Sequence, residues 1–286
     1  MKTATLGLLI CPVCHEPLEY KGKELGHRLV RGVLRCLNNH LYQVKGEIPL
    51  LKHPKLSRGE FTWKVKFPNL QRYEEIQRQY WSYLSEGQRR ADEKLMNQLA
   101  KTASKENLVL DIASGMGRLL LALSPLMGDE SDLLGTDVDE TPLRGAKLKL
   151  KEQNSYDKVS LCVMDGKHLA VKKQRLPCAT SYFGLDNIPD TAEALQELTR
   201  VLIPKGRLVM ATLWLEENSK SLSLAEKHGY ATIATRNRLF KTFETTGFKL
   251  DSVQIYYSGN WPYNPMDRIP MEGDWFAHAL VLAHRA

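Results

Sequence analysis

The stretch Val109–Gly117, VLDIASGMG, constrains this chain more than any other. Val109–Leu110 is an apolar strand end closed by Asp111. Gly115 and Gly117 then let the backbone turn tightly and approach a ligand with no side chain between. The apolar run Leu119–Leu123 opens a helix whose first amide groups face the same ligand. A second strand, Leu133–Thr136, ends in Asp137, where a carboxylate accepts hydrogen bonds from both hydroxyls of a ribose. Two glycines alone punctuate many loops, so the rest of the chain decides the reading.

Beyond Asp137 the pattern alternates. A helix is expected over Thr141–Asn154, then a strand over Val159–Met164 ending in Asp165. The apolar-aromatic Thr180–Phe183 leads into GLDNIPD, a helix over Thr191–Leu202, the turn PKGR and a strand over Leu208–Thr212. Strands alternating with helices predict an α/β fold with a parallel sheet and right-handed crossovers. Phe248–Tyr257 and Trp275–Arg285 read as two further strands joined by an irregular loop.

As an ordered set, these segments resemble the class I S-adenosylmethionine-dependent methyltransferases over roughly Asn107–Ala286. DIASGMG is similar to their first motif, with Ala113 where glycine is commoner, and GTDVD to their second. VMDGKHL is similar to their third, and YFGLDNIPD with RVLIPKGRLVMAT resembles the ubiquinone and menaquinone C-methyltransferase-like branch. The resemblance implies a Rossmann-like seven-stranded sheet. It implies a cofactor site of Asp111, Ala113, Ser114, Gly115, Gly117, Asp137, Val138, Asp165, Gly166 and Phe183, with Asp137 on the ribose and Asp165 near the adenine amino group. Asp186 and Asn187 follow the fourth strand, at the sheet edge where open α/β folds bind ligands. Asn187 is placed to orient an acceptor and Asp186 to take a proton, or GLDNIPD only shapes the turn.

The N-terminus carries a second signal. Cys11 and Cys14 form CPVC, and Cys36 and His40 form CLNNH. Two short pairs separated by a loop are the pattern of a zinc ribbon with three thiolates and one imidazole. Four protein ligands leave no open position, so the expected zinc is structural. His15 and His27 read as surface residues, and Cys162 and Cys178 as small buried hydrophobes. CxxC…CxxxH ahead of a methyltransferase resembles the 23S ribosomal RNA guanine-N(1) methyltransferases, which implies an RNA substrate. HLYQVKGEIPLL equally resembles ribbons attached to other methyltransferases.

Charge is unevenly placed: residues 1–106 hold 19 Lys or Arg against 11 Asp or Glu, and the remainder 21 against 22. A basic accessory region suits a phosphate-rich substrate, and equally an ordinary solvated surface. No apolar run approaches a membrane span. The apolar Thr5–Ile10 is too short for a signal-peptide core, and thiolate ligands suggest a reducing cytoplasm, the expected location. The expected organisation is a ribbon over residues 1–52, an aromatic helical cover over 53–106, and the methyltransferase domain over 107–286. The cover contains Phe61, Trp63, Phe67, Tyr73, Tyr80, Trp81 and Tyr83, with helices expected over Glu74–Leu84 and Ala91–Leu99. Tyr80 and Trp81 are the pair most worth following. Trp214, Trp261, Tyr263 and Trp275 are candidates to wall a pocket, and Ser258–Asp274 has the composition of a lid or substrate loop.

Three functions fit. The first is methyl transfer to a small or medium-sized organic acceptor, the second ribosomal RNA guanine methylation, and the third a cofactor-binding scaffold without catalysis. No membrane partner is expected, and the oligomeric state is not legible.

Overall fold

The computed structural model describes residues 1–55, 64 and 69–286. Phe61, Trp63 and Phe67 of the expected aromatic cover lie outside the described residues. A one-turn helix α1 (Thr3–Leu6) precedes β1 (Leu18–Leu25), β2 (Arg28–Cys36), β3 (Leu41–Lys45) and β4 (Ile48–Leu51). Next come α2 (Leu70–Tyr83), α3 (Glu86–Ala103), β5 (Leu108–Ile112), α4 (Arg118–Leu123), β6 (Asp132–Asp137), α5 (Glu140–Glu152) and β7 (Val159–Met164). The chain ends with β8 (Leu176–Tyr182), α6 (Ala192–Val201), β9 (Leu202–Leu215), α7 (Lys220–Lys227), α8 (Arg236–Thr246), β10 (Phe248–Asn260) and β11 (Trp275–Arg285).

The strands form one sheet in the order β1-β2-β3-β4-β7-β6-β5-β8-β9-β11-β10. Strands β5 to β9 run parallel to one another, while β11 is antiparallel to both β9 and β10. This is the expected α/β, Rossmann-like sheet with its antiparallel ending. Its seven strands β5 to β11 are the expected number, and among the described residues the ribbon's β1 to β4 extend the sheet to eleven. β4 lies parallel to β7 with Leu50 opposite Val163 and Leu51 opposite Met164. The apolar IPLL segment therefore falls on the ribbon side of the expected boundary at 52 yet caps the open edge of β7. Its backbone groups satisfy an edge that would otherwise be free.

Alternation along each strand builds two cores. Leu110, Ile112, Cys162, Met164, Leu208 and Met210 face the layer of α6 and α8. Val109, Leu161, Val163, Cys178 and Val209 face that of α3, α4 and α5. Cys162 and Cys178 are wholly buried, in keeping with their apolar sequence surroundings. α8 buries Leu239, Thr242, Phe243 and Thr246, a one-faced helical stripe, and stops at Gly247, whose φ is 83°. Both cover helices begin earlier than expected, because local side chains cap them. Asn69 accepts from Arg72 N–H at the start of α2, and Ser85 with Gln88 forms a reciprocal capping box at the start of α3.

The ribbon is anchored by buried charge. Arg28 donates to Val159 O (2.9 Å) and stacks on Tyr156, while Glu47 pairs with Lys147 at 2.7 Å. Breaking one member of such a buried pair strands the other, so the dock is specific.

Candidate active site

A cavity of about 680 Å³ opens at the carboxyl edge of the parallel strands. That volume falls within the usual range for small-molecule sites, about 300–1,000 Å³. One end is built from strand-end turns. Ser114 stitches β5 to β6: its hydroxyl donates to Asp111 O (2.9 Å) and accepts from Thr136 N–H (3.1 Å). Gly115 N–H donates to Asp137 Oδ2 at 2.8 Å, and Asp139 N–H to Asp137 Oδ1 at 3.0 Å. Burial pushes the Asp137 carboxyl up to about 6, and these two amides act the other way. These amides fix the carboxylate, and Asp137 lines the cavity. Lys167 N–H donates to Asp165 Oδ1 at 3.0 Å.

Of the expected cofactor residues, Ala113, Ser114, Gly115, Asp137, Val138, Asp165, Gly166 and Phe183 line this cavity. Asp111 and Gly117 do not line it. The Asp111 carboxyl accepts from Thr180 Oγ1 (2.9 Å) between strands, and burial raises it to about 7. Gly117, with φ 74°, packs so closely on α5 that a Cβ would meet Ala146 Cβ at 2.7 Å. Their part is to hold the turn. Ala113 sits at φ 53°, in the left-handed region that glycine occupies without cost, which accounts for glycine being commoner there.

The other end is made of side chains. Tyr80, Trp81, Trp261, Asp267 and His278 line it together with both expected catalytic residues, Asp186 and Asn187. Asn187 Nδ2 donates to Phe183 O (2.8 Å), and Thr212 Oγ1 donates to Asp186 Oδ1 (2.6 Å). Burial lifts Asp186 to about 7, against the Thr212 hydroxyl and the Leu213 amide. Arg118 pairs with Asp92 at 2.6 Å, donates to Tyr182 Oη at 3.1 Å and stacks over Trp81 at 4.1 Å. The other aromatics expected to wall the pocket do not. Trp214 lies in the core because the pleat turns Leu213 and Leu215 to the cavity, Tyr263 is 60% exposed, and Trp275 is not on the wall. Of the expected lid, Trp261, Asp267, Ile269 and Pro270 reach the cavity.

Sequence reasoning missed His278 and Asp267, read Tyr73 only as part of the aromatic cover and Lys52 only as part of the basic region; all four line the cavity. His278 left one trace: a lone imidazole in the apolar strand WFAHALVLA. It is 6% exposed, burial drops its ring to about 4, and it packs between Phe183 (4.8 Å) and Phe276 (5.0 Å).

At the far end of the ribbon the four expected metal ligands converge. His40 Nδ1 lies 3.4, 3.5 and 3.3 Å from the sulfurs of Cys11, Cys14 and Cys36, and Cys14 Sγ lies 3.6 Å from Cys36 Sγ. A zinc tetrahedron with ordinary bond lengths has sulfur–nitrogen edges of about 3.6 Å and sulfur–sulfur edges of about 3.8 Å, so the donor set fits that ion. Each knuckle turns through a left-handed residue, His15 (φ 61°) and Asn39 (φ 64°). The Tyr42 hydroxyl lies 3.1 Å from Cys11 Sγ, an outer contact of the kind that orients metal ligands.

Comparison with known proteins agrees with this architecture. The sequence profile described as the ubiE/COQ5 methyltransferase family matches residues 73–232. A ubiquinone/menaquinone biosynthesis C-methyltransferase of Marinomonas sp. is 29% identical over 167 residues, 58% of this chain and 66% of that protein. A demethylmenaquinone methyltransferase of Lactobacillus johnsonii is 33% identical over 102 residues, 36% of this chain and 42% of that protein. The chain thus spans less than two thirds of these relatives' lengths. Among solved structures, YcgJ from Bacillus subtilis superposes with a TM-score of 0.54 at 14% identity, covering 68% of this chain and 98% of that one. Geranyl diphosphate C-methyltransferase from Streptomyces coelicolor, solved with S-adenosyl-L-homocysteine, gives 0.53 at 16% identity, covering 68% and 78% or less. These two likenesses establish the fold. With the profile spanning more than half of its residues, the chain belongs to the ubiE/COQ5 methyltransferase family.

Proposed function

We propose that this protein transfers the methyl group of S-adenosylmethionine to a small or medium-sized organic acceptor. The observation that carries this reading is a cavity with two differently built ends. The fixed carboxylate of Asp137 and the Ala113–Gly115 turn line one end, and an aromatic and carboxylic pocket forms the other. When bound, the cofactor supplies an electrophilic sulfonium methyl group. This chain's residues do the rest. Asp137 takes the ribose hydroxyls, Asp165 and Gly166 take the adenine, and Phe183 stands between the two ends. Alignment and exclusion of water dominate such a displacement, because its charge is dispersed. Asp186, held by Thr212, is placed to receive a proton from the acceptor.

The relatives' names, with their C-methyltransferases of quinone biosynthesis, support a small-molecule acceptor. Zinc, held by Cys11, Cys14, Cys36 and His40, closes the ribbon and has a structural role. No described helix is long and apolar enough to cross a membrane. The test is methyl-labelled S-adenosylmethionine incubated with the protein and a fractionated cell extract. Label is expected in the small-molecule fraction. Label in ribosomal RNA would replace this reading with the nucleic-acid one, and no label in any fraction would favour a scaffold.

A further inference from the structure

The acceptor end carries buried polar groups that are only partly satisfied by the protein. Asp267 is 7% exposed and His278 6% exposed. Among the described residues, Asp267 Oδ2, Asp186 Oδ2 and His278 Nδ1 are buried without a hydrogen-bond partner. All three residues line the cavity. A buried polar atom left unpaired costs about 1–3 kcal/mol, more if charged, so three together imply a guest that satisfies them.

The chemistry of that guest follows from the surrounding charge. Arg118 is already engaged by Asp92 and by the face of Trp81. Burial keeps His278 neutral, and its ionisation is moved by no charged neighbour. Lys64 is the weakest of the three influences on Asp267, after burial and the Trp261 indole. Tyr80 of α2 feels the charges of Asp267 and Asp92, and the Thr212 hydroxyl and Leu213 amide hold Asp186. Among the described residues, then, no cation is in contact with these two carboxyls, and Trp81 and Trp261 line the same cavity. Carboxylates with aromatic faces are a setting for a positive charge.

The geometry points to an acceptor that carries a protonated nitrogen, an ammonium on a flat or apolar body, received by Asp267 and Asp186 between the aromatic walls. This rests on the methyl-transfer reading for the word acceptor, and not for the site itself. Trp261, Asp267 and His278 lie beyond the residues matched by the family profile, whereas Tyr80, Trp81 and Asp186 lie within them. The two carboxyls sit near 7, mostly protonated at pH 6. An arriving ammonium ionises them, so binding at that pH releases protons to the buffer.

The test is titration calorimetry on the full-length zinc protein loaded with S-adenosylhomocysteine. Tyramine is compared with 4-ethylphenol, and tryptamine with 3-ethylindole, pairs that differ in the ammonium. At least one ammonium member should bind tenfold or more tightly than its neutral partner and release protons at pH 6. Asp267→Asn should abolish that preference while S-adenosylhomocysteine affinity stays unchanged. If Asp267→Asn does not fold, Asp186→Asn carries the same expectation. No preference in either pair, or a preference that survives both substitutions, overturns the inference. A wild-type protein that does not hold S-adenosylhomocysteine sinks the methyl-transfer reading instead. The amines are then titrated against the protein alone, where the two carboxyls still demand the same preference.

Discussion

The two ends of the cavity solve the problem of binding in different ways. At the end proposed for the cofactor, backbone amides and strand-end turns make most of the wall, and the residues come in three short runs at 113–116, 137–139 and 165–166. At the acceptor end the groups are side chains gathered from α2, the segment after β8, β11 and the loop after β10. A turn at a strand end is set by the sheet itself, so it is rigid and general. A pocket of side chains depends on every element that contributes one, and it can be rebuilt residue by residue. The cofactor end also leans on the ribbon, because the carboxyl end of β4 delivers Lys52 to the cavity beside β7.

The largest expected effect tests that last link. Cys11→Ser should lose zinc, which in such sites supplies about 10 kcal/mol or more of folding free energy. Hydrogen exchange should then quicken over β1 to β4 and S-adenosylhomocysteine affinity should fall, while β9 and β11 stay protected. Unchanged exchange in β4 would separate ribbon from cavity. Next, Trp261→Ala removes a buried ring that packs on Phe276 at 4.7 Å, and should cost about 3–5 kcal/mol of stability in urea melts. Because it touches only the acceptor end, S-adenosylhomocysteine affinity should hold. A parallel loss of that affinity would show that the two ends are one unit.

Asp137→Ala should do the converse: about a hundredfold weaker S-adenosylhomocysteine binding by calorimetry, from lost charge-assisted hydrogen bonds, with little change in melting. Unchanged affinity would refute the ribose assignment. Asp111→Asn probes the turn from behind. The Asp111 carboxyl lies near 7 folded against 3.8 free, so the stability it gives is complete below about 4 and lost as pH rises through 7. The variant should therefore gain on the wild type as pH rises from about 4 to about 7, by a few kcal/mol in all, measured by urea melts across that range. A gap that stays constant with pH would show the group to be ionised throughout. Smallest of all, Ala113→Gly should relieve the left-handed strain by about 1 kcal/mol and raise the melting temperature by about 2–4 °C. A fall would mean that the methyl group packs more than it strains.

This contrast also explains what was legible in the sequence. The strands Val109–Leu110, Leu133–Thr136 and Val159–Met164 each end in the acidic residue that names its motif, so cofactor end and sheet could be read together. The Cys/His cluster was legible because its spacing is local, four residues in two pairs. Asp267 and His278 carry no local pattern. They reach the same cavity only when β11 pairs with β9 and the preceding loop folds back. Trp214 misled because one step along a strand reverses the face, and nothing within WLE says which phase is inward. The union of ribbon and sheet was hidden for a related reason: IPLL completes a ribbon and caps an edge with the same four residues.

That shared strand fixes an order of events as the chain leaves the ribosome. β4 ends at residue 51, but its partner β7 starts at residue 159, so more than a hundred residues must emerge before the pair can close. Cys11 to His40 are all available early, and a metal held by them would set the outer hairpins at once. β4 meanwhile waits with one edge unpaired, a template for any stray strand. A slow contact of the molecule is therefore written near its beginning, and the window of greatest danger to the nascent protein closes only when β7 arrives.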